Sequence, residues 1–176
     1  ATALVELNTP ENEGAQSLSA DGSILFFTAC NRAQGMGSCD IYYSFRVNGR
    51  WTRPVNAGPP LNTPQWEAQP SFSSDGRTLY FTSNRGGGKG KKDIWKAEIT
   101  GVDPLGRLEW NEPVNLGDSI NTAGDEISPF IHASNQSFYF ASNFHTGMGG
   151  FDLFLAEIHN NSVFSEPANL GYPINS

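Results

Sequence analysis

Cations are scarce in this chain: 11 Lys and Arg stand against 18 Asp and Glu in 176 residues, giving a formal charge of −7 and a pI near 4.8. That deficit argues against nucleic-acid binding, because a phosphate backbone is gripped by clustered Lys and Arg. Long apolar runs are missing too. None approaches the ~18 residues of a membrane-spanning helix, so no membrane span is expected. No segment sustains apolar residues at i, i+3, i+4 and i+7, and helix therefore has no obvious place. The three histidines, His132, His145 and His159, fall in different parts of the third repeat with no HxH or HExxH spacing. No Gly-x-Ser-x-Gly elbow is present. These absences lead us to expect no metal, no cofactor, no catalytic residue and a protein that is not an enzyme. No signal peptide is visible and the chain opens on Ala1, an opening expected of a processed product or of a piece of a larger chain.

What the chain does contain is aromatic residues (12%), 19 Gly and 11 Pro, a composition suited to an all-β protein with many tight turns. It also contains a repeat. Segments 13–62, 67–121 and 126–175 share one order of landmarks. Each opens with Glu and runs through polar residues into a small turn (Asp21-Gly22, Asp75-Gly76, Ser134-Asn135). An aromatic strand follows (Leu25-Phe26-Phe27, Leu79-Tyr80-Phe81, Phe138-Tyr139-Phe140), then a Gly-rich loop. An Asp-headed strand comes next (Asp40-Ile41-Tyr42, Asp93-Ile94-Trp95, Asp152-Leu153-Phe154). Each copy closes on an aromatic-x-x-Pro-x-Asn-x-Gly segment, starting at Trp51, Trp110 and Phe164. A repeat of about 50 residues holding four short strands is the signature of propeller blades.

The expected fold is therefore a β-propeller region of four-stranded antiparallel blades, 1–176, with blades at 13–64, 65–123 and 124–176. Residues 1–12 read as the tail of a preceding blade, because the linker tag Leu61-Asn62-Thr63, Ile120-Asn121-Thr122, Ile174-Asn175-Ser176 also occurs as Leu7-Asn8-Thr9. Three blades are too few for a ring, since propellers have four to eight, so an arc of a larger ring, or pairing with another chain, is expected. In the second copy Asp75-Gly76 suits a two-residue hairpin, and Pro113 marks the outermost strand. Cys30 ends one strand and Cys39 starts the next. Across a hairpin they would face each other, a placement that suits a disulfide and an oxidising compartment, with two buried thiols in a cytosolic protein as the alternative.

The motif Ser-x-Asp-Gly-x-x-Leu-Tyr-Phe-x-Ser-Asn-Arg at 73–85, followed by Asp93-Ile94-Trp95, resembles the WD-like propeller repeat of the TolB type. Trp-x-x-Pro-x-Asn-Leu-Gly-x-x-Ile-Asn-Thr-x-x-Asp-Glu at 110–126 is more specific. So are Cys30-Asn31-Arg32 with Cys39-Asp40-Ile41-Tyr42, and Gly147-Met148-Gly149-Gly150-Phe151-Asp152-Leu153. Together they resemble the propeller region of Bacteroidetes envelope lipoproteins of the OmpA family, which includes a component of the type IX secretion system. The resemblance runs from about residue 7 to 175. It implies a periplasmic, outer-membrane-associated interaction module whose partners are envelope proteins. Peptidoglycan is gripped in that family by an OmpA-like domain, so no residue of this chain is expected to bind it. The third copy departs from the pattern, with Ser134-Asn135 for Asp-Gly and Phe144 where Arg85 stands.

Candidate binding residues follow. Glu13, Glu67 and Glu126 each start an innermost strand, so they would ring one mouth of a central channel and bind a cation or a basic segment, or else brace the neighbouring blade. Asp40, Asp93 and Asp152 are expected to bond into the adjacent hairpin loop. Arg85 with Lys89, Lys91 and Lys92 makes the one concentrated positive patch, either a solvated loop or a docking point for an acidic partner or glycan. It is no phosphate loop, because no Ser or Thr follows the Lys and no helix follows the loop. Trp66 has no aromatic counterpart in the other copies and would stack on a sugar, anchor a peptide or plug a gap. His132 replaces Ser19 and Ser73. The leading expectation is a non-catalytic protein–protein interaction module. The alternatives are glycan or peptidoglycan-fragment binding, and the non-catalytic part of a TolB-like propeller enzyme such as a polysaccharide lyase.

Overall fold

A computed structural model describes residues 7–159 and 163–176, and all regular structure among them is strand. The part of the expected tail at residues 1–6 lies outside the described residues. Three antiparallel sheets follow one another along the chain. The first holds β1 (Glu13–Leu18), β2 (Ile24–Cys30), β3 (Cys39–Val47), β4 (Arg50–Trp51) and β5 (Val55–Asn56). The second holds β6 (Glu67–Phe72), β7 (Thr78–Ser83), β8 (Asp93–Val102), β9 (Leu108–Trp110) and β10 (Val114–Asn115). The third holds β11 (Glu126–Ile131), β12 (Ser137–Ser142), β13 (Asp152–His159), β14 (Val163–Phe164) and β15 (Ala168–Asn169).

Each sheet is four-stranded in plan, with its outer strand broken in two. β4 and β5 both pair with β3, β9 and β10 with β8, and β14 and β15 with β13. The breaks fall at Pro54, Pro113 and Pro167, each of which lacks the N–H that a ladder needs. Cys30 lies opposite Cys39 in the β2–β3 register, and the two form a disulfide.

Alternation along the strands gives the middle sheet two buried faces. On one side Leu79, Phe81, Trp95 and Phe72 pack against Phe26, Ile41 and Tyr43 of the first sheet. On the other, Tyr80 and Ile94 pack against Ile131, Phe138, Phe140 and Phe154 of the third. Each such side chain contributes about 1.5–3 kcal/mol on burial, so the two inter-sheet seams are the core. The strand β6 contacts β1, β2 and β3, and β11 contacts β6, β7 and β8, while among the described residues no strand of the first sheet contacts one of the third. The sheets are therefore stacked as an open arc of propeller blades.

Two local features differ from the sequence reading. The turn after β6 spans four residues rather than two: Gly76 N–H donates to Ser73 O (3.1 Å) and Ser73 N–H to Thr78 O (2.9 Å). Within it Gly76 takes positive φ (72°), as does Asn135 (56°) at the matching place in the third sheet, where Asn tolerates the left-handed region. The second difference is a bulge in every innermost strand, between Gly14 and Ser17, Ala68 and Ser71, and Ile127 and Phe130. The extra residue is left-handed in each: Ala15 (φ 48°), Gln69 (57°) and Ser128 (54°). None is Gly, so the turn chemistry that flags positive φ is absent there.

Candidate functional site

The repeated acids open the inner strands and point into the junctions between sheets. Glu67 and Glu126 are fully buried. Glu67 accepts Thr63 N–H (2.8 Å), Thr63 Oγ1 (2.8 Å) and Ser83 Oγ (2.7 Å). Arg85 stands 3.4 Å from it, bonding also to the carbonyls of Pro60 (3.2 Å) and Leu61, with its guanidinium over the Phe81 and Trp95 rings. Glu126 accepts Thr122 N–H (2.8 Å), Thr122 Oγ1 (2.5 Å) and Ser142 Oγ (2.7 Å). Glu13 accepts Thr9 N–H (3.1 Å) and Thr9 Oγ1 (2.5 Å), and Arg32 lies 2.9 Å away. Burial acts to raise the Glu13 carboxyl, but the bonds from Thr9 and Arg32 outweigh it and hold the group below its ordinary range. Glu67 and Glu126 thus offer no open carboxylate to a channel.

The same geometry removes Arg85 from the expected positive patch. Its side chain is one-tenth exposed, and burial lowers its pKa against the opposing pull of Glu67. Lys89 pairs with Asp118 at the surface, Lys91 is exposed, and Lys92 Nζ sits 4.7 Å from the centre of the half-buried Trp66 ring. Trp66 O accepts Asn84 N–H (3.3 Å), and Trp66 N–H donates to Asn84 Oδ1 (2.9 Å), so Trp66 is fastened to the hairpin loop of the second sheet. His132 is exposed, its Nδ1 3.0 Å from Ser134 Oγ in a turn. The structure therefore gathers Trp66 and Lys92, places His132 elsewhere, and buries Arg85.

Sequence alignment set Phe144 against Arg85, yet His145 does the arginine's work: its Nε2 lies 2.9 Å from Ile120 O, as Arg85 reaches Leu61 O, and its ring packs on Phe140 and Phe154. A one-residue offset in the loop hides this. A second set of braces has no chemical signature in the sequence. Asn62, Asn121 and Asn175 clasp the Asp-headed strand of their own sheet, Asn121 taking Ile94 N–H (2.8 Å) and giving to Ile94 O (2.9 Å). Asp40 accepts from the loop amides Met36 N–H (2.6 Å) and Gly37 N–H (3.1 Å) and from Asn56 Nδ2 (3.1 Å).

A concavity of about 450 Å³ lies along the bulged inner strands, lined by Gln16, Ser17, Gln69, Ser71, Ser128 and Phe130 among others. It is walled by hydroxyls, amides and apolar groups. Gln69 Oε1 accepts Ser128 N–H (2.9 Å) across it, and Gln16 is exposed. Among the described residues no group of three His, Cys, Asp or Glu is placed to hold a metal ion. Nor is any helix there long and apolar enough to cross a membrane.

Fold and inner surface together define an arc of propeller-type blades with an inner groove of mixed apolar and polar lining. No family model and no curated protein matches the chain. Solved structures do. A protein described as TolB from Agrobacterium tumefaciens superposes with a TM-score of 0.54 at 21% identity, over 93% of this chain and 50% of its own. TolB from Acinetobacter baumannii gives 0.56 at 14%, over 92% and 33%. An α-L-arabinofuranosidase from Lactobacillus brevis gives 0.51 at 14%, over 89% and 54%. The chain thus spans about half or less of the structures it matches, and at these identities the likeness is one of fold, shared by TolB-type propellers and by enzymes.

Proposed function

We propose that the chain is a non-catalytic protein-interaction module of the bacterial envelope, with blades at 13–64, 65–123 and 124–176. The observation that carries this reading is how the recurring polar residues are used. The buried acids and Arg85, which the sequence offers as binding groups, are committed to bonds within and between the sheets, as are His145 and the linker asparagines. The inner groove stays open, and its exposed amide and apolar lining suits an extended peptide segment. The Cys30–Cys39 disulfide supports an oxidising compartment such as the periplasm. The motif resemblance to Bacteroidetes OmpA-family lipoproteins, PorE of the type IX secretion system among them, supports outer-membrane association and envelope proteins as partners. In such proteins peptidoglycan is held by a further domain, and it is assigned to no residue here.

Capture from an envelope extract tests this. Wild type and Gln16→Arg, which obstructs the groove without touching a seam, are compared as immobilised baits. Retention of a defined protein by wild type and its loss in Gln16→Arg is expected. Equal retention by both, or turnover of glycan or peptide substrates by the purified chain, would overturn the reading.

A further inference from the structure

The second copy is the longest between its Asp-headed strand and its outer aromatic. Trp110 follows Asp93 by 17 positions, whereas Trp51 follows Asp40 by 11 and Phe164 follows Asp152 by 12. The added residues lengthen β8 to Val102 and return through β9 as a hairpin. Its turn is self-contained: Asp103 Oδ1 accepts the amides of Leu105 (2.8 Å) and Arg107 (2.8 Å), and Gly106 supplies a positive φ (77°). Beyond the turn, Leu108 N–H crosses to the first sheet and donates to Tyr43 Oη (2.9 Å). A hollow of about 490 Å³ results at this junction. Tyr43, Pro59 and Pro60 of the first sheet and its linker wall it, together with Arg107, Glu109 and Trp110 of the second. Its size falls within the range of small-molecule pockets, about 300–1,000 Å³.

The seam itself does not require this apparatus. At the next junction Phe164, on a shorter connection, packs edge-on against Phe138 with ring centres 5.2 Å apart, as Trp110 packs against Phe26 at 5.9 Å. A phenylalanine therefore suffices for packing, and Trp110 adds an indole N–H to a side chain that is only 8% exposed. That N–H has no hydrogen-bond partner among the described residues. A buried donor without an acceptor is costly, and this one belongs to the wall of a hollow. Tyr43 Oη, having accepted Leu108 N–H, retains its own O–H as a second donor. Arg107 and Glu109 are exposed, and among the described residues neither takes part in an ion pair.

We propose that this hollow binds a neutral saccharide of one or two units. Trp110 Nε1–H, the Tyr43 hydroxyl and Arg107 donate to its oxygens, Glu109 accepts from its hydroxyls, and its C–H face lies on Pro59 and Pro60. An anion would be opposed by Glu109 and Asp103, and a cation by Arg107. Hydroxyl groups both donate and accept, so a neutral polyol uses the two signs together. Arg107 and Glu109 lie in the added residues, and Trp110 is replaced by Phe164 in the third copy, so the site is particular to one blade junction rather than repeated. It shares no residue with the inner groove, and a saccharide here leaves that groove free for a peptide.

Nuclear magnetic resonance titration of the isotope-labelled full chain tests the proposal. The probes are glucose, galactose, N-acetylglucosamine and cellobiose, each up to tens of millimolar, with glucuronate and protonated glucosamine as charged counterparts. The expected result is a saturable shift of the Trp110 indole N–H and the Leu108 amide with at least one neutral sugar, and weaker binding of the charged pair. Trp110→Phe assigns the indole resonance and should weaken binding, read at the Leu108 amide, about fivefold, the worth of one hydrogen bond. Glu109→Ala alters an exposed side chain, so it should keep the melting temperature and weaken binding severalfold, which holds the proposal to account even if Trp110→Phe fails to fold. No saturable shift at either reporter with any neutral sugar would overturn the proposal. So would tighter binding of a charged sugar, shifts confined to the lysine loop at 86–92, or neutral-sugar binding unchanged in Glu109→Ala or in folded Trp110→Phe.

Discussion

Truncating Arg85 to Ala tests the bracing role of the repeated polar set at its most buried point. The guanidinium satisfies two linker carbonyls, those of Pro60 and Leu61, covers the Phe81 and Trp95 rings, and is the cation beside a carboxylate that has no solvent exposure. Removing one member of a buried pair costs about 3–5 kcal/mol, because the remaining charge is left uncompensated. Here Thr63 N–H, Thr63 Oγ1 and Ser83 Oγ still point at Glu67 and soften that penalty, which places Arg85→Ala near the low end, at about 3 kcal/mol. For a chain of this size that lowers the thermal midpoint by about 6–12 °C. Urea and thermal unfolding followed by circular dichroism measure it. Arg32→Ala, in a pair that is 14% and 10% exposed, should cost less than Arg85→Ala. A loss below about 1 kcal/mol for Arg85→Ala, the value typical of a surface pair, would refute the burial argument.

Other outcomes follow from the same geometry. Asn121→Ala strips both bonds from the Ile94 peptide and should cost about 2–3 kcal/mol, with faster amide exchange at Ile94 and its neighbours. Opening the Cys30–Cys39 bridge by Ser substitution releases a short loop and should cost about 2–3 kcal/mol on loop-entropy grounds, read as a shift in urea midpoint. Gly90→Ala would place a Cβ 1.9 Å from the Gly124 carbonyl, so that backbone must move and the variant should melt well below wild type. The Glu13 carboxyl lies below its ordinary value in the folded state, so its stabilisation is present above the unfolded pKa of about 4.3 and is lost as pH falls through the lower folded value. The stability gap between wild type and Glu13→Gln should therefore close on acidification, as a pH series of urea midpoints would show. Asp21, held at about 2 chiefly by the Ser19 hydroxyl and the Ser23 amide, should titrate near that value by carboxyl carbon NMR, and Ser19→Ala should raise it.

The architecture was legible because blade-forming residues must recur. Phe26, Tyr80 and Tyr139 fall at one offset from Glu13, Glu67 and Glu126, and alternation along such strands dictates which face each side chain takes. Pro113 marked the outer strand, and the structure shows that it cuts that strand in two. The pairing of Cys30 with Cys39 followed from hairpin placement alone. The bulges at Ala15, Gln69 and Ser128 were invisible, because nothing in those residue types signals a left-handed backbone and only the ladder on either side imposes it. Arg85 was misplaced for a different reason. A charged residue next to a Gly-rich lysine loop reads as surface, and its burial depends on Glu67 and two carbonyls contributed by the preceding linker. His145 was hidden by a shift of one position, since a ring nitrogen that must reach the Ile120 carbonyl does not need the register of an arginine.

The central claim is that recurring polar residues hold the arc together while the inner groove meets partners. Photo-crosslinking from a benzophenone side chain tests it most directly, placed at Gln16 in the groove in one variant and at the exposed Val102 on the outer end of β8 in another. The account predicts discrete protein adducts in envelope extract from position 16 and none from position 102. Adducts from position 102 alone, or from neither position, would contradict it.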